Sequence, residues 1–262
     1  MCLAIVARDV HAAYALVVAA NRDEFHARPA APAAWWNQGW LAGRDLDAGG
    51  TWFGVTRRGR WALVTNVREP GRHDAAAPSR GALVPRLLGD DRPPLVALAA
   101  LTDDAARYNG YNLLVGDALG AAWMSNRASS LRPQPLHPGV AGLSNALLDT
   151  PWPKLASTKA ALVEWSASGE SDIEPLFAAL AERRRATDAD LPTTGVPLER
   201  ERMLSAPFIV SDAYGTRCST ILTITRDGKA RLVERTFDAS GAMTGEVDFR
   251  FATNGEGSGA RG

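Results

Sequence analysis

The first two dozen residues place the strongest constraint on the fold. Residues 3–7 form an apolar strand, Arg8-Asp9-Val10-His11 a turn, and residues 13–20 a second apolar strand. A hairpin of this kind returns the chain to its start. Its second strand runs into Asn21-Arg22-Asp23-Glu24, so this polar tetrad is expected near Cys2 and the amino terminus. Removal of Met1 leaves Cys2 with a free α-amino group, whose reference pKa of about 7.7–8.0 lies near ambient pH. A general base works best there. The amine can then take the thiol proton of its own residue, with no histidine involved. The plain alternatives are that Cys2 is a small buried hydrophobe, and that Arg22, Asp23 and Glu24 form a structural ion-pair and capping cluster.

Strand signals recur at both ends of the chain and helical signals lie between them. Residues 25–41 read as a loop, because Pro29 and Pro32 disfavour regular pairing. That loop carries Trp35, Trp36 and Trp40, which read as core packing or as an apolar lip over a pocket. Gly49-Gly50-Thr51-Trp52 is a turn leading into a strand. A hairpin turn at Arg57-Arg58-Gly59-Arg60 returns the chain, and Asn66 falls at a strand end. The double glycine is not a phosphate loop, since it lacks the following Lys-Ser/Thr. Ser79 is an N-cap candidate for a helix carrying Leu83, Val84, Leu87 and Leu88. Further helices are expected over 94–107, 153–168 and 171–185, and a polar loop over 186–205. Strands are expected over 111–116, 121–126, 216–225, 230–237 and 243–251, with good hairpin turns at Arg226-Asp227-Gly228-Lys229 and Asp238-Ala239-Ser240-Gly241. Periodicity therefore gives an α+β class, one domain over 1–252 and a disordered tail over 253–262.

Composition excludes several functions. The chain is 46% hydrophobic and 22% charged, ordinary for a globular protein with a large core. Its formal net charge is zero, which argues against general nucleic-acid binding. Two cysteines at opposite ends make neither a disulfide framework nor a zinc signature, and fit a reducing compartment. The segment after Met1 lacks a positive leader region, and no stretch of about 18 apolar residues exists. A cytoplasmic protein without an integral membrane segment is expected. Its partner is a small-molecule ligand or substrate. His11, His26, His73 and His137 sit in turns or loops without partners at ligand spacing, and read as solvated; no metal is expected.

Met1-Cys2-Leu3 with Asn21-Arg22-Asp23-Glu24 resembles the NRDE family, also called the transport-and-Golgi-organisation family. Arg28-Pro29, Gly43-Arg44-Asp45, Gly49-Gly50-Thr51-Trp52, Thr65-Asn66-Val67-Arg68, Ser79-Arg80-Gly81, Leu143-Ser144-Asn145 and Gly215-Thr216-Arg217-Cys218-Ser219-Thr220 follow in family order. The resemblance implies an N-terminal-nucleophile hydrolase-like four-layer αββα sandwich. It also implies links to haem trafficking and lipid homeostasis. Through the similar cysteine branch of the cholylglycine hydrolases, it implies a catalytic set of Cys2, Arg22, Asp23, Asn66, Asn145 and Arg217. In that set Cys2 attacks a non-peptide C–N amide bond and Asp23 accepts from the amine. Arg22 favours the thiolate, Asn66 and Asn145 hold the oxyanion, and Arg217 steadies charge. Arg22 and Asp23 are adjacent, so on a strand they face opposite sides; only a bend brings both to Cys2. The rival expectation is a non-catalytic carrier, with no cofactor but with haem or an acyl lipid as ligand, held by Trp35, Trp36, Trp40 and Asn21.

Overall fold

The computed structural model describes residues 2–253 and, of Cys2, the backbone. Two antiparallel sheets lie face to face. The first has β1 (Cys2–Arg8), β2 (Tyr14–Phe25), β10 (Gly139–Leu143), β11 (Tyr214–Thr225), β12 (Lys229–Phe237) and β13 (Met243–Ala252), in the order β10-β1-β2-β11-β12-β13. The second runs in sequence order through β3 (Ala30–Trp35), β4 (Trp40–Asp45), β5 (Phe53–Thr56), β6 (Trp61–Asn66), β7 (Tyr111–Asp117), β8 (Gly120–Ser125) and β9 (Gln134–Pro135). Five helices are α1 (Leu83–Leu88), α2 (Pro94–Ala99), α3 (Pro153–Ser168), α4 (Glu174–Leu180) and α5 (Leu198–Leu204).

Strand alternation sorts the apolar residues of the sheets and their covering helices into three cores, beside a smaller cluster of Leu204, Ile209 and Tyr214. On β2, Leu16 and Val18 turn inward and meet Leu41, Val55, Leu114 and Leu222 between the sheets. Val17 and Ala19 turn the other way, with Leu3 and Ile5, onto Leu155, Leu162 and Trp165 of α3 and Phe177 of α4. Leu83, Val84, Leu87 and Leu98 of α1 and α2 cover Val64, Leu113 and Met124 on the second sheet. The order is helix, sheet, sheet, helix, as expected. Each buried Leu or Val contributes roughly 1.5–3 kcal/mol relative to exposure, so these stripes are sufficient reason for the layering.

Several local expectations are corrected. Residues 30–35 and 40–45 pair as strands despite Pro32. Strand β3 is a sheet edge, where a missing amide is tolerated, and the register shifts between Ala31 and Ala34 to pass the proline. The helix from Pro94 stops at Ala99, where the Thr102 hydroxyl donates to the Ala99 carbonyl and competes with continuation. The helix expected over 171–185 is shorter, Glu174–Leu180, and the segment 186–205 contains α5. The tetrad is not beyond the strand but inside it, since β2 continues to Phe25 against β11. His11 is not solvated: it is 2% exposed. Its ring stacks on Trp165 at 4.7 Å, and Nδ1 accepts from the Ala13 amide. Of the expected tail, Thr253 is held by two hydrogen bonds to the Gly228 carbonyl, and 254–262 lie outside the described residues. No described helix is long and apolar enough to cross a membrane.

Candidate active site

The candidate residues gather where β2 and β6 end. In the β1–β2 ladder position 2 pairs with Arg22, and in the β2–β11 ladder Arg22 pairs with Cys218. Arg22 is 5% exposed. Its guanidinium lies 4.4 Å from the centre of the Trp52 ring, a cation–π stack, and 4.0 Å from the Glu24 carboxylate. Its Nη1 is buried and has no hydrogen-bond partner among the described residues. The Trp52 ring can lie here because residue 43 is glycine; a Cβ there would stand 2.3 Å from the ring. Gly50 packs equally tightly, since its Cβ would fall 2.4 Å from the Gly81 carbonyl oxygen. Two of the glycine motifs are therefore close-approach devices around the site.

A cleft of about 370 Å³ opens beside this stack, lined among others by Arg22, Asp23, Trp52, Asn66, Arg80 and Asp45. Arg28 bridges to Asp45 with Nε–Oδ2 at 2.9 Å. Burial would raise the Asp45 carboxyl, but the Arg28 bond and the Ala48 amide hold it below the usual carboxylate range. On the other side of Arg22 and Trp52 lies a smaller pocket of about 210 Å³, where Arg217, Cys218 and Glu234 stand. Glu234 is 2% exposed. It accepts from the Ala33 amide at 2.7 Å and the Thr220 hydroxyl at 2.9 Å, joining the two sheets. Burial pushes its carboxyl up, against these two donors and Cys218.

The two strand ends that carry the asparagines are tied together. The Arg68 amide donates to the Asn145 carbonyl at 2.7 Å. Asn145 Nδ2 donates to Asn66 Oδ1 at 3.0 Å. Asn66 lines the cleft, whereas Asn145, 1% exposed, stands behind it. Asp23 is fully buried and its Oδ1 accepts from the Thr216 hydroxyl at 2.7 Å. Burial raises its carboxyl, opposed first by the charge of Lys154.

Five further candidates fall outside this cleft. Arg217 donates to the carbonyls of Phe25, His26 and Arg28 and so clamps the β2–β3 connection, apart from the two asparagines. Asn21 is spent within the fold: Nδ2 donates to the Leu180 and Pro207 carbonyls, and Oδ1 accepts from Ser219. Its parity on β2 directs it at the helix layer instead of the cleft. The three tryptophans form no single lip. Trp35 packs edge-on to Phe251 at 5.1 Å beside the inter-sheet core, and Trp40 packs against the α1–α2 layer. Trp36, between them on the turn, donates Nε1 to the Ala42 carbonyl. Trp36 and Trp40, on either side of that turn, pack together with ring centres 5.9 Å apart, while strand alternation sends Trp35 to the opposite face.

Residues 1–239 match the family model described as Transport and Golgi organisation 2. The chain belongs to this family. It is 37% identical over 245 residues to the Transport and Golgi organization protein 2 homolog of Homo sapiens, covering 85% of this chain and 87% of that one. The Bos taurus homolog is 35% identical over 241 residues, at 85% and 87% coverage. Among solved structures, the C2A mutant of the conjugated bile acid hydrolase from Clostridium perfringens superposes with a TM-score of 0.50, at 9% identity, over 95% of this chain and 92% of that one. That likeness concerns the fold alone, an αββα sandwich of the N-terminal-nucleophile hydrolase-like kind.

Within this family frame, three residues of the site escape a reading by motif. Trp52 stands inside a quoted motif, but its stacking partner lies across the sheets. Glu234 shares strand parity with Leu232, so it is an acid on a core-facing position. Lys154 is 2% exposed and sits in the first turn of α3, after Pro153. A cation there opposes the helix dipole, and a local conflict of that sort is a sequence signal for function.

Proposed function

We propose that this chain is an N-terminal-nucleophile hydrolase of a non-peptide C–N amide bond, with Cys2 as nucleophile. The observation that carries the reading is the pairing of position 2 with Arg22 beside a cleft that the Asn66 amide lines. Once Met1 is removed, the Cys2 amine takes the thiol proton and sulfur attacks the amide carbonyl. A side-chain amide at Asn66 is a donor suited to the oxyanion that forms. The tetrahedral adduct collapses, the C–N bond breaks, and the leaving amine takes the proton from the Cys2 amine. Water then cleaves the thioester, releasing the acid and restoring the thiol. The Arg22 charge favours the thiolate. Asp23 stands on the opposite face of β2 from Arg22, and both line the cleft; in this scheme it accepts from the Cys2 amine, a backbone group not confined to the Arg22 face.

A second reading, carriage of haem or an acyl lipid without turnover, rests on the family resemblance, while the relatives' names speak of transport and Golgi organisation alone. Its support is narrower than a three-tryptophan lip, since Trp36 and Trp40 pack together but Trp35 packs on Phe251. The two separate on Cys2→Ala, assayed with N-acyl coumarin amides and with haem titration, after intact mass has shown loss of Met1. The hydrolase loses all turnover in the variant. Hydrolysis that survives Cys2→Ala, or a retained Met1, overturns self-activated catalysis, while unchanged haem affinity with no hydrolysis by either protein favours the carrier.

A further inference from the structure

Behind the two asparagines lies a buried cation that the mechanism above leaves unused. Lys154 Nζ is 3.5 Å from Asn145 Oδ1, and the Ser144 hydroxyl reaches the same oxygen at 3.3 Å. An ammonium has donors only. At 3.5 Å the hydrogen bond itself is weak, but the ammonium charge attracts the amide oxygen and repels the NH2, and so favours this orientation of Asn145 over the flipped one. With Oδ1 turned to Lys154, Nδ2 must turn the other way, and it donates to Asn66 Oδ1 at 3.0 Å and to the Asn66 carbonyl at 3.4 Å. Asn66 Oδ1 being occupied, its Nδ2 is the group left for the cleft. The acceptor it meets, the Val67 carbonyl, is at 3.5 Å, a distance at which a hydrogen bond is weak.

We propose that Lys154 is a positioning residue which, through Asn145, fixes the Asn66 amide with its NH2 towards the cleft. Of the two asparagines, Asn66 then presents its side-chain donor to an oxyanion, and Asn145 holds it from behind. The charge of Lys154 also polarises the chain of amides in the sense that strengthens the last donor, since linked hydrogen bonds reinforce one another in a low-dielectric interior. The Lys154 charge also opposes the rise that burial imposes on the Asp23 carboxyl. The effect on rate rests on the hydrolase reading; the orientation of the Asn66 amide does not.

The test uses the full chain, 15N-labelled, as wild type, Lys154→Met and Lys154→Arg. The Asn66 side-chain NH2 pair is assigned as the pair lost in Asn66→Ala. In Lys154→Met this pair is expected to shift and to exchange faster with water, and Lys154→Arg restores it. On N-acyl coumarin amides, Lys154→Met lowers kcat about tenfold with KM nearly unchanged, a fraction of the loss for deleting an oxyanion donor outright. An unchanged Asn66 pair in folded Lys154→Met overturns the proposal, as does an equal change in the Met and Arg variants. If Lys154→Met does not fold, Lys154→Gln is read in the same way. Absence of hydrolysis by the wild type, with the Asn66 shift still seen, overturns the hydrolase reading and leaves the relay standing.

Discussion

Glu234 shows how a single side chain couples the site to stability. Its carboxyl is buried between sheets with two hydrogen-bond donors in contact, and burial raises its pKa above the unfolded reference of about 4.3. A raised acid contributes stability that is present below the unfolded pKa and lost as pH rises through the folded value. Glu234→Gln removes this titration while keeping the shape. The variant is expected to melt higher than the wild type near neutral pH, with the gap closing towards about pH 4. Melting curves across that range check it; a gap independent of pH would show that the carboxyl is not the cause. Asp23 titrates in the same direction, so the comparison is made against Glu234→Gln alone and not against a double variant.

Two elements meet at Arg68, which follows β6 by two residues. Its guanidinium pairs with Glu201 of α5 and lies 4.7 Å from the centre of the Trp152 ring, and its amide holds Asn145. Both charged side chains are 5% exposed. Glu201 also accepts from the Thr194 amide at 3.0 Å, so the pair anchors the connection before α5. Burial lowers the Arg68 pKa and the Glu201 charge works against that. Removing one partner of a buried pair strands the other. Arg68→Ala is therefore expected to cost about 3–5 kcal/mol in urea unfolding, and Arg68→Ala with Glu201→Ala less than the sum of the two. Additivity of the two losses would mean that the pair does not act as a unit. The unit explains why an Arg follows Asn66 in the quoted motif: it fixes the strand end on which that amide stands.

At the scale of the molecule, β1, β2 and β11 are covered on both faces, by the second sheet on one and by α3 and α4 on the other. Strand β13 is an edge, and its alternate residues from Thr244 to Ala252 are exposed. Local opening follows coverage. Amide exchange is expected to be slowest in the middle of β2 and β11 and faster by orders of magnitude along β13, measured by mass spectrometry on the native protein. Equal protection at β13 and β2 would contradict a sandwich with this edge. The three cores also place the site where the ends of two sheets converge, so the charged cleft sits on a frame that opens last.

The sequence by itself determined the hairpin at the start, the strand clusters at both ends, the α+β class and the ordered motifs. Each rests on local chemistry: alternation, turn residues, caps and glycines at close approaches. Asn66 at a strand end and the full span of α3, Pro153–Ser168, were legible for the same reason. What the tertiary structure alone decided is which side chains meet. The pairing of β2 with β11 drew the tetrad into a strand, which set Arg22 on one face and left Asp23 to Thr216 on the other. The edge position of β3 made strands of a proline-bearing segment and set Trp35 apart from the packed pair Trp36 and Trp40. Contacts between Trp52 and Arg22, Arg68 and Glu201, or Lys154 and Asn145 join different elements. Partners of that kind are fixed by sheet order and packing, which no local pattern encodes.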